Sequence, residues 1–158
     1  MKQPQQKGFS LIELLIVVAI ILIIAAIAIP NLLKSKMAAN ESSAVGSTRT
    51  INTGEVTYAA SCPNVGYSPS LAALNTGGAC PAGINIIDSV LATGAKSGYT
   101  FQYAGTPDAT NLINTYTLTA LPGVTGTTGQ RGFFSDQTGV IRYTLDGTAP
   151  TNASSALQ

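Results

Sequence analysis

The sequence predicts an α+β protein: a long N-terminal α-helix packed on a C-terminal antiparallel β-sheet of about four strands. Three observations carry this. Phe9 to Ile29 is an almost unbroken apolar run. The chain after it, as far as Cys62, keeps one face at helical spacing, so the helix is apolar in its first half and amphipathic in its second. From Tyr99 onward the apolar period becomes two, with turn residues between the runs.

The 158 residues suffice for about one domain, and with 45% hydrophobic residues a sizeable core can be buried. Only 9% are charged, against roughly 25% in soluble domains, and the formal net charge is +1. No charged field is available to recruit nucleic acid. The chain has no histidine, which excludes Ser-His-Asp and Cys-His catalysis, imidazole metal sites and histidine pH switches. Two cysteines cannot alone close a four-ligand zinc site.

Within Phe9–Ile29 only Ser10 and Glu13 are polar. As a helix this run spans about 31 Å, enough for a hydrocarbon core. Lys2 and Lys7 precede it and Lys34 and Lys36 follow, so flanking charge orients it only weakly. A secretory signal peptide, with Ala26-Ile27-Ala28 as its cleavage site, is one reading, and a plain membrane anchor is another. Neither accounts for Glu13. A carboxylate in a spanning helix costs on the order of 2.5–3.5 kcal/mol and is a functional candidate by default.

The segment Lys7-Gly8-Phe9-Ser10-Leu11-Ile12-Glu13, followed by an unbroken apolar helix, resembles the prepilin signature of type IV pilins and type II secretion pseudopilins. The match is close over residues 1–36. It implies a leader, residues 1–8, cleaved after Gly8 by a prepilin peptidase that also N-methylates the new N-terminus, Phe9. It further implies that residues 9–36 form the transmembrane and filament-core helix, that residues 37–158 form the head, and that Glu13 is the assembly carboxylate. Physical chemistry supports that last role. Cleavage would leave an ammonium on Phe9, four residues before Glu13 and on the same helical face. In a bundle of parallel helices Glu13 can meet a neighbour's Phe9 ammonium. Such a pair need not add net stability, but it penalises every axial register in which the charges miss.

Pro30 lacks an N–H and clashes with the carbonyl of Ala26, so it kinks the helix or ends it. The continuation favours a kink within one long helix. Met37, Ala44, Thr48, Ile51, Tyr58 and Cys62 fall on one face, with Lys34, Lys36, Arg49 and Glu55 mostly off it. Gly46 and Gly54 weaken this stretch by about 1 kcal/mol each.

Cys62 and Cys80 bracket a turn-rich segment with a short helical island from Ser70 to Leu74. Because the resemblance implies a translocated head, a disulfide is the expectation for this pair, contributing about 3 kcal/mol; two buried free thiols are the alternative. In many pilins the disulfide staples a C-terminal loop, and here it would clamp the connection between helix and sheet. Ile84–Leu91 reads as a further short helix stopped by Gly94. Tyr99, Phe101 and Tyr103, then Tyr116, Leu118 and Ala120, alternate with polar residues as two strands. Residues 131–135 and 140–144 flank the turn Asp136-Gln137-Thr138-Gly139 and complete a hairpin.

Weaker signals are read blandly. Gly123, Gly126, Gly129 and Gly132 form a flexible connection, and residues 151–158 a mobile polar tail. Asp88, Asp108, Asp136 and Asp146 lack the spacing of a calcium loop and read as solvated turn residues. Asn40-Glu41-Ser42 and Asn152-Ala153-Ser154 match the glycosylation acceptor pattern, which arises often by chance. Lys96, Arg131 and Arg142 are too few for a DNA-binding patch.

The reading is therefore a structural subunit, not an enzyme, with no cofactor and no metal. It would be a single-pass inner-membrane protein before assembly and would polymerise into an extracellular pilus filament. Its partners would be copies of itself, the prepilin peptidase and N-methyltransferase, the inner-membrane assembly machinery and the bilayer; no nucleic acid is expected. Motility, adhesion and DNA uptake are not separated. The alternative is a pseudopilin forming the periplasmic piston of a type II secretion system. A membrane-anchored enzyme is remote, since the head holds no S-x-x-K and its carboxylates are scattered.

Overall fold

A computed structural model describes residues 8–78, 80 and 85–157. The first seven leader residues and Ile84 therefore lie outside the described residues. The chain divides into two units, Met1–Ser35 and Lys36–Gln158.

The main helix, α1, is Leu11–Ser61, 51 residues with Pro30 inside it. Pro30 thus does not terminate the helix. The lost N–H leaves the Ala26 carbonyl without its usual donor, a local cost of about 3 kcal/mol. In the second unit, α1 buries Glu41, Ala44, Ser47, Thr48, Ile51, Gly54, Glu55 and Tyr58. Its many hydroxyl residues are compatible with a helix because they bond back one turn: Thr48, Thr50, Thr53, Thr57 and Ser61 each donate to the carbonyl four residues earlier. Gly54 is more than a weak helix former. A Cβ there would sit 3.0 Å from Ile86 Cγ2, so glycine lets the Asn85–Ile87 segment close against α1.

After α1 the chain is stapled by the Cys62–Cys80 disulfide, whose Cα atoms are 5.7 Å apart. The staple encloses α2, Leu71–Thr76, capped by the Ser70 side chain at one end and by left-handed Gly77 at the other. The next helix is shorter than its sequence suggests. The sequence predicts a helix over Ile84–Leu91, yet α3 spans only Ser89–Ala92. Tertiary hydrogen bonds take the preceding residues: Ile86 N–H donates to the Leu74 carbonyl, and the Ile87 carbonyl accepts from Asn75 Nδ2. Asp88 then caps α3 by accepting from Leu91 N–H at 2.8 Å.

The sheet has six strands in chain order, every neighbour antiparallel: β1 Ala95–Lys96, β2 Tyr99–Pro107, β3 Ile113–Pro122, β4 Gly132–Asp136, β5 Arg142–Thr144 and β6 Ser155–Ala156. Four match the expected strands, and the two-residue β1 and β6 are additions at the edges. Phe101 sits opposite Ala120 and Tyr103 opposite Leu118, so the period-two face is a single buried surface. Ile51, Tyr58, Leu74, Leu91, Tyr99, Leu118 and Phe133, from the helices and the sheet, are the most deeply buried large apolar side chains of the core. Each such side chain contributes about 1.5–3 kcal/mol over exposure.

Two expectations are corrected here. The polar tail is held as far as Leu157: β6 pairs with β5, Leu157 N–H donates to the Ile141 carbonyl, and Arg142 Nη1 donates to the Ser154 carbonyl. The glycine-rich connection is packed, not loose. A Cβ on Gly129 would strike the Tyr99 ring, and one on Gly132 would strike the Thr148 carbonyl, so these glycines are where backbone meets core.

Candidate functional site

Glu13 stands in the first turn of α1, with Ser10 in the capping position. The Ser10 carbonyl accepts from Glu13 and Leu14 N–H, and Glu13 Oε2 accepts from Ser10 N–H at 2.9 Å. This is the back-reaching half of a capping box. The carboxylate therefore sits at the positive end of its own helix and satisfies one of the N–H groups that a helix start leaves unpaired. Among the described residues Oε1 has no partner, so one oxygen is left to accept from another molecule.

Apart from Ser10, the surface around this carboxylate is apolar. Phe9 is 78% exposed, and every leucine, isoleucine and valine from Leu11 to Leu33 is exposed. A helix apolar on all sides is stable only inside lipid or among other proteins. Among the described residues α1 is the one helix long and apolar enough to cross a membrane.

Other sequence candidates in the head are engaged by neighbouring groups of the fold. Asp108 accepts from Thr110 and Leu112 N–H, Asp136 from Thr138 N–H and Asp146 from Thr148 N–H, each inside its own turn. Hydrogen bonds from Thr110 and Thr148 hold the Asp108 and Asp146 carboxyls below the ordinary range. Lys96 pairs with Asp88 at 2.8 Å, so the three basic residues weighed for DNA are engaged one by one: Lys96 here, Arg131 by Glu41, Arg142 by Ser154. Asn40 Nδ2 donates to the Thr128 carbonyl, which ties up the amide of the first glycosylation-like pattern.

Two polar residues were missed by the sequence reading. Glu41 accepts from Gln130 and Arg131 N–H through Oε1 and from Arg131 Nε through Oε2. Burial opposes its ionisation, but these hydrogen bonds win and hold the carboxyl below its usual value. Glu55 was placed off the buried face and is in fact fully buried. Desolvation raises its pKa against the hydrogen bonds it accepts from Ser68 and against the nearby Tyr103 hydroxyl dipole. Their positions were available in the spacing. Adding 41 and 55 to the predicted stripe turns its two gaps of seven into an unbroken alternation of three and four.

A family model described as the prokaryotic N-terminal methylation motif matches residues 3–29. The type IV wide pilus major component PilA4 of Thermus thermophilus is 36% identical over 110 residues, covering 65% of this chain and 82% of that protein. The type IV major pilin protein PilA of Myxococcus xanthus is 46% identical over 55 residues, 35% of this chain and 25% of that protein. No solved structure matches the chain. An apolar helix carrying one self-capped carboxylate, a head of antiparallel strands on its amphipathic continuation, and a pilin matched over most of its length lead to one conclusion: the chain belongs to the type IV pilin family.

Proposed function

We propose that this chain is the structural subunit of an extracellular type IV pilus, made as a membrane-anchored precursor and polymerised through the first half of α1. The observation that supports this reading best is the exposure of every large apolar side chain from Leu11 to Leu33 around a single carboxylate. Lipid covers that surface before assembly and neighbouring copies cover it afterwards. The prepilin peptidase removes residues 1–8 after Gly8 and methylates Phe9, which places an ammonium beside the apolar surface. The half-engaged Glu13 carboxylate then accepts from a neighbour's Phe9 ammonium. The self-cap at Ser10 keeps the carboxylate partly satisfied while the subunit waits in the membrane, which lowers the cost of storing it there. Pro30 relaxes the helix between filament core and head.

Glu13→Leu tests the central contact. Insertion, leader cleavage and head folding should be unharmed, because the costly carboxylate is gone. Filament yield should collapse while cleaved subunit accumulates in the membrane, and Glu13→Asp should be intermediate. Blots of sheared-filament and membrane fractions check it; normal filament yield from Glu13→Leu would remove the register role.

A further inference from the structure

Glu55 lies in the middle of the packed face of α1 with no exposed surface. Its Oε2 accepts from Ser68 N–H at 2.8 Å, and its Oε1 lies 2.6 Å from Ser68 Oγ. The Tyr103 hydroxyl of β2, which donates to the Ser68 carbonyl at 2.8 Å, also reaches the carboxylate. The Tyr116 ring of β3 stacks on that of Tyr103, and its hydroxyl donates to Asn52 Oδ1. Among the described residues, the hydrogen-bonding partners of Glu55 are thus hydroxyls and a backbone amide. The ion pairs among the described residues are Lys96–Asp88 and Arg131–Glu41, so no cation neutralises Glu55.

The geometry satisfies both protonation states. Ser68 Oγ is also 3.1 Å from the Ser70 carbonyl, and its single proton serves one acceptor at a time. With Glu55 ionised, Ser68 donates to the carboxylate. With Glu55 protonated, the acid donates to Ser68 Oγ, which turns its own proton to Ser70. Ser70 caps α2, so the proton on Glu55 is linked by one hydroxyl to the start of that helix.

We propose that Glu55 is a buried proton switch, and that its protonation tightens the Ser68–Ser70 segment and the α2 cap against α1. The proposal is independent of how the apolar half of α1 is used. Its sign follows from linkage. A carboxyl whose folded pKa lies above its unfolded value contributes stability that is fully present below the unfolded pKa and is lost as pH rises through the folded one. Desolvation raises Glu55, so the head should hold this segment more tightly in acid. Glu41, Asp88, Asp108 and Asp146 are shifted downward and contribute the opposite trend. Only a difference against a Glu55 variant isolates the switch.

Glu55→Gln supplies that difference. Its amide oxygen can accept from Ser68 N–H and its NH₂ can donate to Ser68 Oγ, which copies the protonated state at every pH. In thermal melts of the full chain in detergent, wild type and Glu55→Gln should have the same Tm at pH 4. By pH 8 the variant should melt higher than wild type. A wild type equal to or more stable than Glu55→Gln at pH 8 would overturn the switch. A second measurement stands even if the variant fails to fold. Wild type carries three glutamates, so the carboxyl carbon signals of ¹³C-labelled Glu can be assigned through Glu13→Gln and Glu41→Gln. The remaining signal should titrate above the ordinary glutamate range, and a midpoint within or below that range would equally refute the proposal.

Discussion

Glu41 ties α1 to the loop entering β4 through three hydrogen bonds, one of them an ion pair with Arg131. Arg131 in turn lies over the rings of Phe133 and Tyr143. Glu41→Ala should strand two backbone N–H groups and the guanidinium, and cost about 2–3 kcal/mol. A lower Tm with unchanged disulfide content would check it. Because this carboxyl is held below its ordinary range, its contribution is present above the unfolded pKa and is lost as pH falls through the folded one, opposite in sign to Glu55. The phenol of Tyr99, on the same side, is raised to about 12 by burial and by the charge of Glu41. The spacing places both glutamates on the packed face, but a carboxylate on an amphipathic helix is ordinarily assigned to the wet face, which hid their burial. Glu13 stands out in the sequence because a charge inside an apolar run has no wet face to occupy.

At the scale of elements, the Cys62–Cys80 staple closes the segment between α1 and the sheet, and the Tyr58 hydroxyl donates to the Gly77 carbonyl within it. Cys62→Ser should free one thiol and lower the stability of the head by about 3 kcal/mol, measured by denaturation alongside thiol titration under non-reducing conditions. Ending the chain before Asn152 removes β6 and Leu157, which packs against the core. That should uncover the edge of β5 and Ile141 and cost about 1–2 kcal/mol, where a free tail would cost nothing. β2 and β3 were readable because their alternation survives over several residues, and β4 and β5 because a turn with Gly139 separates them. The two edge strands were not, since two residues carry no period and form only because a neighbouring edge offers partners. The helical reading of Ile84–Leu91 failed for a related reason. A short apolar run fits a helix or a packed loop equally well, and hydrogen bonds to Leu74 and Asn75 decided between them.

For the whole molecule, the low charge, the apolar half-helix and the disulfide-closed head fit a subunit that leaves the membrane by joining copies of itself. The long helix and the N-terminal candidate site were legible in the first sixty residues, and the sheet in the alternation that begins at Tyr99. The head's polar interior was hidden because it depends on contacts between residues far apart in the chain, such as Asn52 with Ser135 and with Tyr116. The central claim is that the processed helix is the polymerising element. The most direct test is the intact mass and N-terminal sequence of the main protein in filaments sheared from the cell surface. The account predicts a subunit that begins at N-methylated Phe9 and retains the Cys62–Cys80 disulfide, with a Gly8→Val variant left in the membrane as the longer precursor. A mature protein beginning after Ala28, or absent from external filaments altogether, would contradict it.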